Sequence, residues 1–199
     1  PTGSGKSVTY QLPGLIGENP SLVISPLKAL MKDQVQSIWS KKIPTTYINS
    51  DLIEAEQSKR YGFIKDGLFK FIFVAPERFS SKDPNTRYIY QRYSHFVVDE
   101  AHSIDTWGIA FRPSYRKLGE VRRSLGNPPV IALTATASKR TQKQILDSLG
   151  IQGADVIVTG FKKDNIEIRV HESGSMNEEG LLVDKETYIK RLIEENSDD

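Results

Sequence analysis

Two short segments constrain this chain more than anything else in it: Pro1-Thr2-Gly3-Ser4-Gly5-Lys6-Ser7 at its start, and Phe96-Val97-Val98-Asp99-Glu100-Ala101-His102 near its middle. The first places small residues where backbone N–H groups curl around phosphate oxygens. It then supplies a lysine to reach the terminal phosphates and a hydroxyl to ligate magnesium. The second is an apolar run ending in two adjacent carboxylates, one suited to hold a metal's water shell and the other to orient an attacking water. Together they read as two halves of a nucleoside triphosphate site, with nucleotide-borne magnesium as the only metal expected. Such halves meet only where parallel strands deliver them to one edge of a sheet.

The rest of the chain keeps that rhythm. Ser21 to Ser25 is a short apolar run bounded by Pro20 and Pro26, as in a buried strand. Leu27, Leu30, Met31, Val35 and Ile38 then recur at helical spacing. Further strands are expected at Thr45 to Ile48, Phe71 to Val74, Phe96 to Val98, Val130 to Leu133 and Val156 to Val158. Helices are expected at Ile53 to Lys65, Tyr115 to Leu125 and Lys139 to Leu149, the last closed by Gly150. Asn165 to Val170 alternates apolar and polar residues like a half-exposed edge strand. Residues 172–180 have linker composition, and Tyr188 and Leu192 mark a short helix beyond them. Alternating strands and helices imply an α/β protein with a mostly parallel sheet covered on both faces. The full phosphate-loop pattern begins one residue before Pro1, and the loop has to be fed by a strand. The chain is therefore expected to be a piece of a longer protein.

Composition excludes several classes. With 199 residues, 38% of them hydrophobic, the chain can bury one substantial core, and no apolar run approaches the length of a membrane span, so no membrane partner is expected. It has no cysteine and three scattered histidines, which leaves no disulfide framework and no thiolate zinc site in these residues. From Glu172 onward nine acidic residues face three basic ones, leaving residues 1–171 with 24 basic against 16 acidic side chains. That surplus suits a polyanionic partner as well as an ordinary solvated surface.

The ordered motifs are specific. Thr2-Gly3-Ser4-Gly5-Lys6-Ser7, Ile24 to Gln34, Val74-Ala75-Pro76-Glu77-Arg78, Asp99-Glu100-Ala101-His102 and Leu133-Thr134-Ala135-Thr136-Ala137 resemble motifs I, Ia, Ib, II and III of superfamily 2 helicases. Trp107-Gly108 followed by Phe111-Arg112-Pro113-Ser114-Tyr115 resembles the aromatic-rich loop of the RecQ family, and the resemblance spans residues 1–171. It implies a RecA-like three-layer αβα sandwich, truncated at the N-terminus, over residues 1–171. Residues 172–199 then form a linker and the start of a second RecA-like domain. It also implies an ATP-dependent DNA helicase moving 3′ to 5′ in DNA repair and recombination. ATP and Mg²⁺ are its cofactors, and single-stranded and forked duplex DNA its partners. The nucleotide site would be completed by the missing second domain, so the isolated fragment is expected to turn ATP over very slowly. Localisation follows the chromosome: bacterial cytoplasm and nucleoid, or eukaryotic nucleus.

By motif match, Thr2, Gly3, Ser4, Gly5, Lys6 and Ser7 cradle the nucleotide, Ser7 and Asp99 hold magnesium, and Lys6, Asp99 and Glu100 carry the catalysis. His102, Thr134 and Thr136 relay between nucleotide and DNA, or alternatively satisfy buried polar groups. Lys28, Lys32 and Arg78 follow the strand's phosphates, while Trp107, Phe111 and Arg112 stack on bases and contact phosphate. The loop departs from the family pattern, with Thr106 where glutamine is common and Ile109-Ala110 where histidine and aspartate are common. These changes remove polar contacts and leave a second reading open, an uncoupled DNA-binding scaffold or ATP sensor. A transporter ATPase is discounted because the sequence Leu-Ser-Gly-Gly-Gln is absent.

Overall fold

The computed structural model describes residues 5–80, 83–105, 112–158 and 185–195. The chain divides into two units, Pro1–Thr159 and Gly160–Asp199. In the first, α1 (Lys6–Ile16), β1 (Ser21–Ile24), α2 (Lys28–Trp39), β2 (Thr45–Ile48), α3 (Glu54–Lys65) and β3 (Phe71–Val74) follow one another. After two 3-10 turns come β4 (His95–Val98), α4 (Leu118–Ser124), β5 (Val130–Ala132) and α5 (Lys139–Leu149). In the second, the described part is one helix, α6 (Lys185–Glu195), with a Lys190–Glu186 ion pair one turn apart.

The five strands form one sheet in the order β2-β3-β1-β4-β5, every pairing parallel. Strand periodicity sorts their side chains into two cores. Val23, Phe71, Phe73 and Val97 join Tyr10 of α1 and Met31, Val35 and Ile38 of α2 on one face. Leu22, Ile24, Ile72, Val74, Phe96 and Val98 join Tyr61 and Ile64 of α3, Leu118 and Val121 of α4, and Ile145 and Leu149 of α5 on the other. This is the expected three-layer sandwich, and it explains why β1 and β3 are buried at every position: both of their faces are covered.

Local signals set most boundaries. Ser138 caps α5 by accepting from Thr141 N–H, and Gly150 ends that helix in the left-handed conformation at φ 66°. Two expectations change. The helix expected from Tyr115 starts as a tight 3-10 turn, Pro113–Lys117, and becomes α4 only at Leu118, because the chain turns at Pro113 with Tyr115 N–H donating back three residues to Arg112 O (3.0 Å). Val156 to Val158 lie in no strand and are 50–88% exposed. β-Branched residues favour a strand but cannot supply its hydrogen-bonding neighbour, and among the described residues β5 pairs with β4 alone. The expected edge strand at Asn165 to Val170 and the linker at 172–180 lie outside the described residues.

Candidate nucleotide and nucleic-acid site

Parallel pairing in register brings the carboxyl ends of four strands level, since Ile24 faces both Val74 and Val98, and Val98 faces Ala132. Each motif that follows a strand leaves the sheet at that edge: Ser25-Pro26 after β1, Ala75-Pro76 after β3, Asp99-Glu100 after β4 and Leu133-Thr134 after β5. Backbone bonds lace them together, with Asp99 N–H donating to Ile24 O (2.9 Å), Ala75 N–H to Ile48 O (3.1 Å) and Ala101 N–H to Leu133 O (2.8 Å).

Gly5 begins α1 in the left-handed conformation, φ 74°, and no side chain caps the helix. Its first N–H groups and the positive end of its dipole thus face outward with Lys6 and Ser7 beside them, which suits an anion. Tyr10, one turn further, is 1% exposed and its pKa is pushed up to about 12. Burial is the main cause. The nearby Asp99 charge adds to it. Thr2, Gly3 and Ser4 lie outside the described residues.

The two carboxylates differ in setting. Asp99 Oδ1 accepts from the Glu100 N–H (3.0 Å) and Oδ2 from Gln34 Nε2 of α2 (3.3 Å). Glu100 lies at φ 48°, ψ 47°, a conformation that costs a side-chain-bearing residue roughly 1–2 kcal/mol. Its Oε2 is 3.2 Å from His102 Nδ1, and the same nitrogen is 2.9 Å from Thr134 Oγ1. Thr134 donates its own proton to Thr136 O (3.0 Å). The hydroxyl therefore offers lone pairs to His102, and Nδ1 carries a proton shared between Thr134 and Glu100. Acidic motif and Thr-Ala-Thr segment are joined through one imidazole.

A cavity of about 490 Å³ opens at the same sheet edge, after β1, β2 and β3, lined by Pro26, Lys28, Ser50, Glu77, Arg78 and Arg112. Lys28 is paired with Asp51 (2.6 Å) at the surface. Arg78 is only 13% exposed and is held by Asp83 (2.7 Å) and Tyr61 Oη (3.2 Å), so it braces this wall as well as lining it. Arg112 Nη1 lies 3.9 Å from Glu77 Oε1, which also accepts from Ser114 Oγ (3.3 Å). Lys32 projects from the exposed side of α2. Trp107 and Phe111 lie outside the described residues. Sequence reasoning assigned no role to Gln34, Glu77 or Tyr115, although all three stand inside the quoted motifs. Their polarity at exposed-looking positions carried no sign that they turn back toward Asp99 and Arg112.

A parallel three-layer fold with a glycine-started helix, paired carboxylates and a histidine–threonine link at one sheet edge fits the core domain of a helicase. Residues 1–145 match the DEAD/DEAH box helicase family, and the chain belongs to it. Its homologues are RecQ helicases. It is 40% identical over 180 residues to the RecQ-like DNA helicase BLM of Xenopus laevis, covering 85% of this chain and 13% of that protein. It is 39% identical over 181 residues to a probable ATP-dependent DNA helicase RecS of Bacillus subtilis (89% and 36%). It is 40% identical over 171 residues to the ATP-dependent DNA helicase RecQ of the same organism (85% and 29%). The chain thus spans little more than a third of these relatives at most. Among solved structures, the fold resembles the Pyrococcus furiosus Hef helicase domain, at TM-score 0.56 and 24% identity over 76% of this chain and 32% of that one. It also resembles the DUF1998 helicase MrfA bound to DNA, at TM-score 0.59 and 22% identity over 74% and 23%. The architecture is RecA-like.

Proposed function

We propose that this chain is the first RecA-like motor domain, residues 1–171, of a RecQ-type helicase that hydrolyses ATP to move 3′ to 5′ along single-stranded DNA and part the duplex. The observation that carries this reading is the imidazole bridge from Glu100 through His102 to Thr134, at the same sheet edge as a cavity lined by Lys28, Arg78 and Arg112.

The residues present fit nucleotide and magnesium. Gly5, Lys6 and Ser7 would hold the phosphates at the open start of α1. Among the described residues no cluster of three or more acidic or histidine side chains could cage a cation. A cation shared between phosphate oxygens, water and one or two protein oxygens is the usual arrangement for magnesium, and Ser7 and Asp99 would supply those oxygens. Bound there, magnesium would neutralise charge building on the phosphates. Gln34 holds Asp99 on one oxygen, and Glu100 takes the proton of the attacking water or orients it. His102 senses whether Glu100 is engaged and passes this to Thr134. A second RecA-like domain, beginning within residues 172–199, would complete the site.

The test is ATP hydrolysis by the full-length protein with and without single-stranded DNA, with Trp107→Ala and the 199-residue fragment alongside. Strong stimulation, lost in Trp107→Ala and absent from the fragment, is the expected outcome; turnover indifferent to DNA would favour the uncoupled scaffold or sensor. Salt gives a second check. With Lys28, Lys32 and Arg112 as phosphate contacts from this domain, each alanine substitution should reduce the log–log salt slope of single-strand binding by about 0.7. An unchanged slope in both Lys28→Ala and Arg112→Ala would remove the cavity from the DNA path.

A further inference from the structure

One hydroxyl stands between the segment that leaves the cavity and the paired carboxylates. Tyr115 is fully buried, follows Arg112 by three residues, and donates to the carbonyl oxygen of Asp99 at 3.0 Å. The opposite end of that peptide unit, the Glu100 N–H, donates to Asp99 Oδ1 at 3.0 Å. Both polar ends of the Asp99–Glu100 peptide are therefore held by side chains. Turning this peptide plane changes ψ of Asp99 and φ of Glu100 together, and Glu100 sits in the left-handed region that a side-chain-bearing residue leaves unless restrained. At its other end the segment meets the cavity, where Arg112 and Ser114 share Glu77 Oε1.

We propose that Tyr115 is a positioning residue, whose hydroxyl locks the Asp99–Glu100 peptide and so aims the Glu100 carboxylate. The proposal rests on the hydrolytic reading of the site.

Tyr115→Phe in the full-length protein removes the hydroxyl and keeps the ring. Tyr93→Phe is the matched control, since Tyr93 is buried in the same core and donates to Ile89 O at 2.7 Å, away from the carboxylates. Both variants should lower the thermal midpoint alike. Tyr115→Phe should lower DNA-stimulated kcat about fivefold or more, the loss of one hydrogen bond, with KM for ATP unchanged. Tyr93→Phe should leave kcat at the parental value. Equal kcat in the two variants, or kcat and KM changing together with the folded fraction, would overturn the proposal alone. No hydrolysis in the unsubstituted protein would overturn the functional reading and this proposal with it.

Discussion

Glu100→Gln in the full-length protein should lower ATP turnover about a thousandfold while leaving nucleotide affinity where it was. The amide has the shape of the carboxylate and can still accept from His102 Nδ1, so the bridge to Thr134 survives. It cannot take a proton from water, and general-base catalysis of this kind contributes typically about 10²–10⁴-fold. Nucleotide affinity is expected to hold because, in the proposed site, Gly5, Lys6 and Ser7 would meet the phosphates and Ser7 and Asp99 the metal. The checks are steady-state hydrolysis and a fluorescent-nucleotide titration on the same preparation. Turnover near the parental rate would remove Glu100 from the role, and a parallel loss of affinity would make it a binding residue instead.

The largest effect on stability should come from a residue with no side chain. A Cβ built on Gly119 in α4 would lie 2.1 Å from the carbonyl oxygen of Ser148 in α5. Backbone, unlike the end of a flexible side chain, cannot swing away, so α4 and α5 would have to separate across the core they share with β4. Gly119→Ala should therefore cost about 3 kcal/mol, the upper part of the usual overpacking range. That corresponds to a thermal midpoint lower by roughly 6–12 °C. Gly62→Ala is the opposing control. This position is inside α3, and apart from the helix's own backbone no atom lies within 4 Å of where a methyl group would stand. Alanine there should stabilise the helix by up to about 1 kcal/mol. Denaturant titration of the two variants reads both signs. A Gly119→Ala protein as stable as its parent would mean that the two helices do not touch there in solution.

These two cases show how unevenly a sequence reports on its structure. Strand positions were legible because β1 and β3 are buried on both faces and carry runs dominated by apolar residues, which few other environments demand. α5 was legible at both ends because its caps, Ser138 and Gly150, are local chemistry. The paired carboxylates were legible because such charges at the end of an apolar strand repel unless something cationic is to sit there. Val156 to Val158 misled for the complementary reason: β-propensity belongs to the residue, whereas a strand belongs to the pair.

What the sequence determined by itself is the set of parts. It contains the glycine-rich start of α1, the two carboxylates, the histidine and the threonines, in an order that forces a parallel α/β sheet and brings these parts to its carboxyl edge. What only the tertiary structure decided is how those parts are held. Gln34 reaches Asp99 across 65 positions of chain, Arg78 spends its charge on Asp83, Glu77 engages Arg112, and Tyr115 bends back to the Asp99 carbonyl. The reason is the range of the forces. Caps, turns and periodicity act over a few residues and leave their mark in the sequence. A hydrogen bond between distant segments depends on the register and twist of the sheet that brings them within about 3 Å, and no residue type announces its partner.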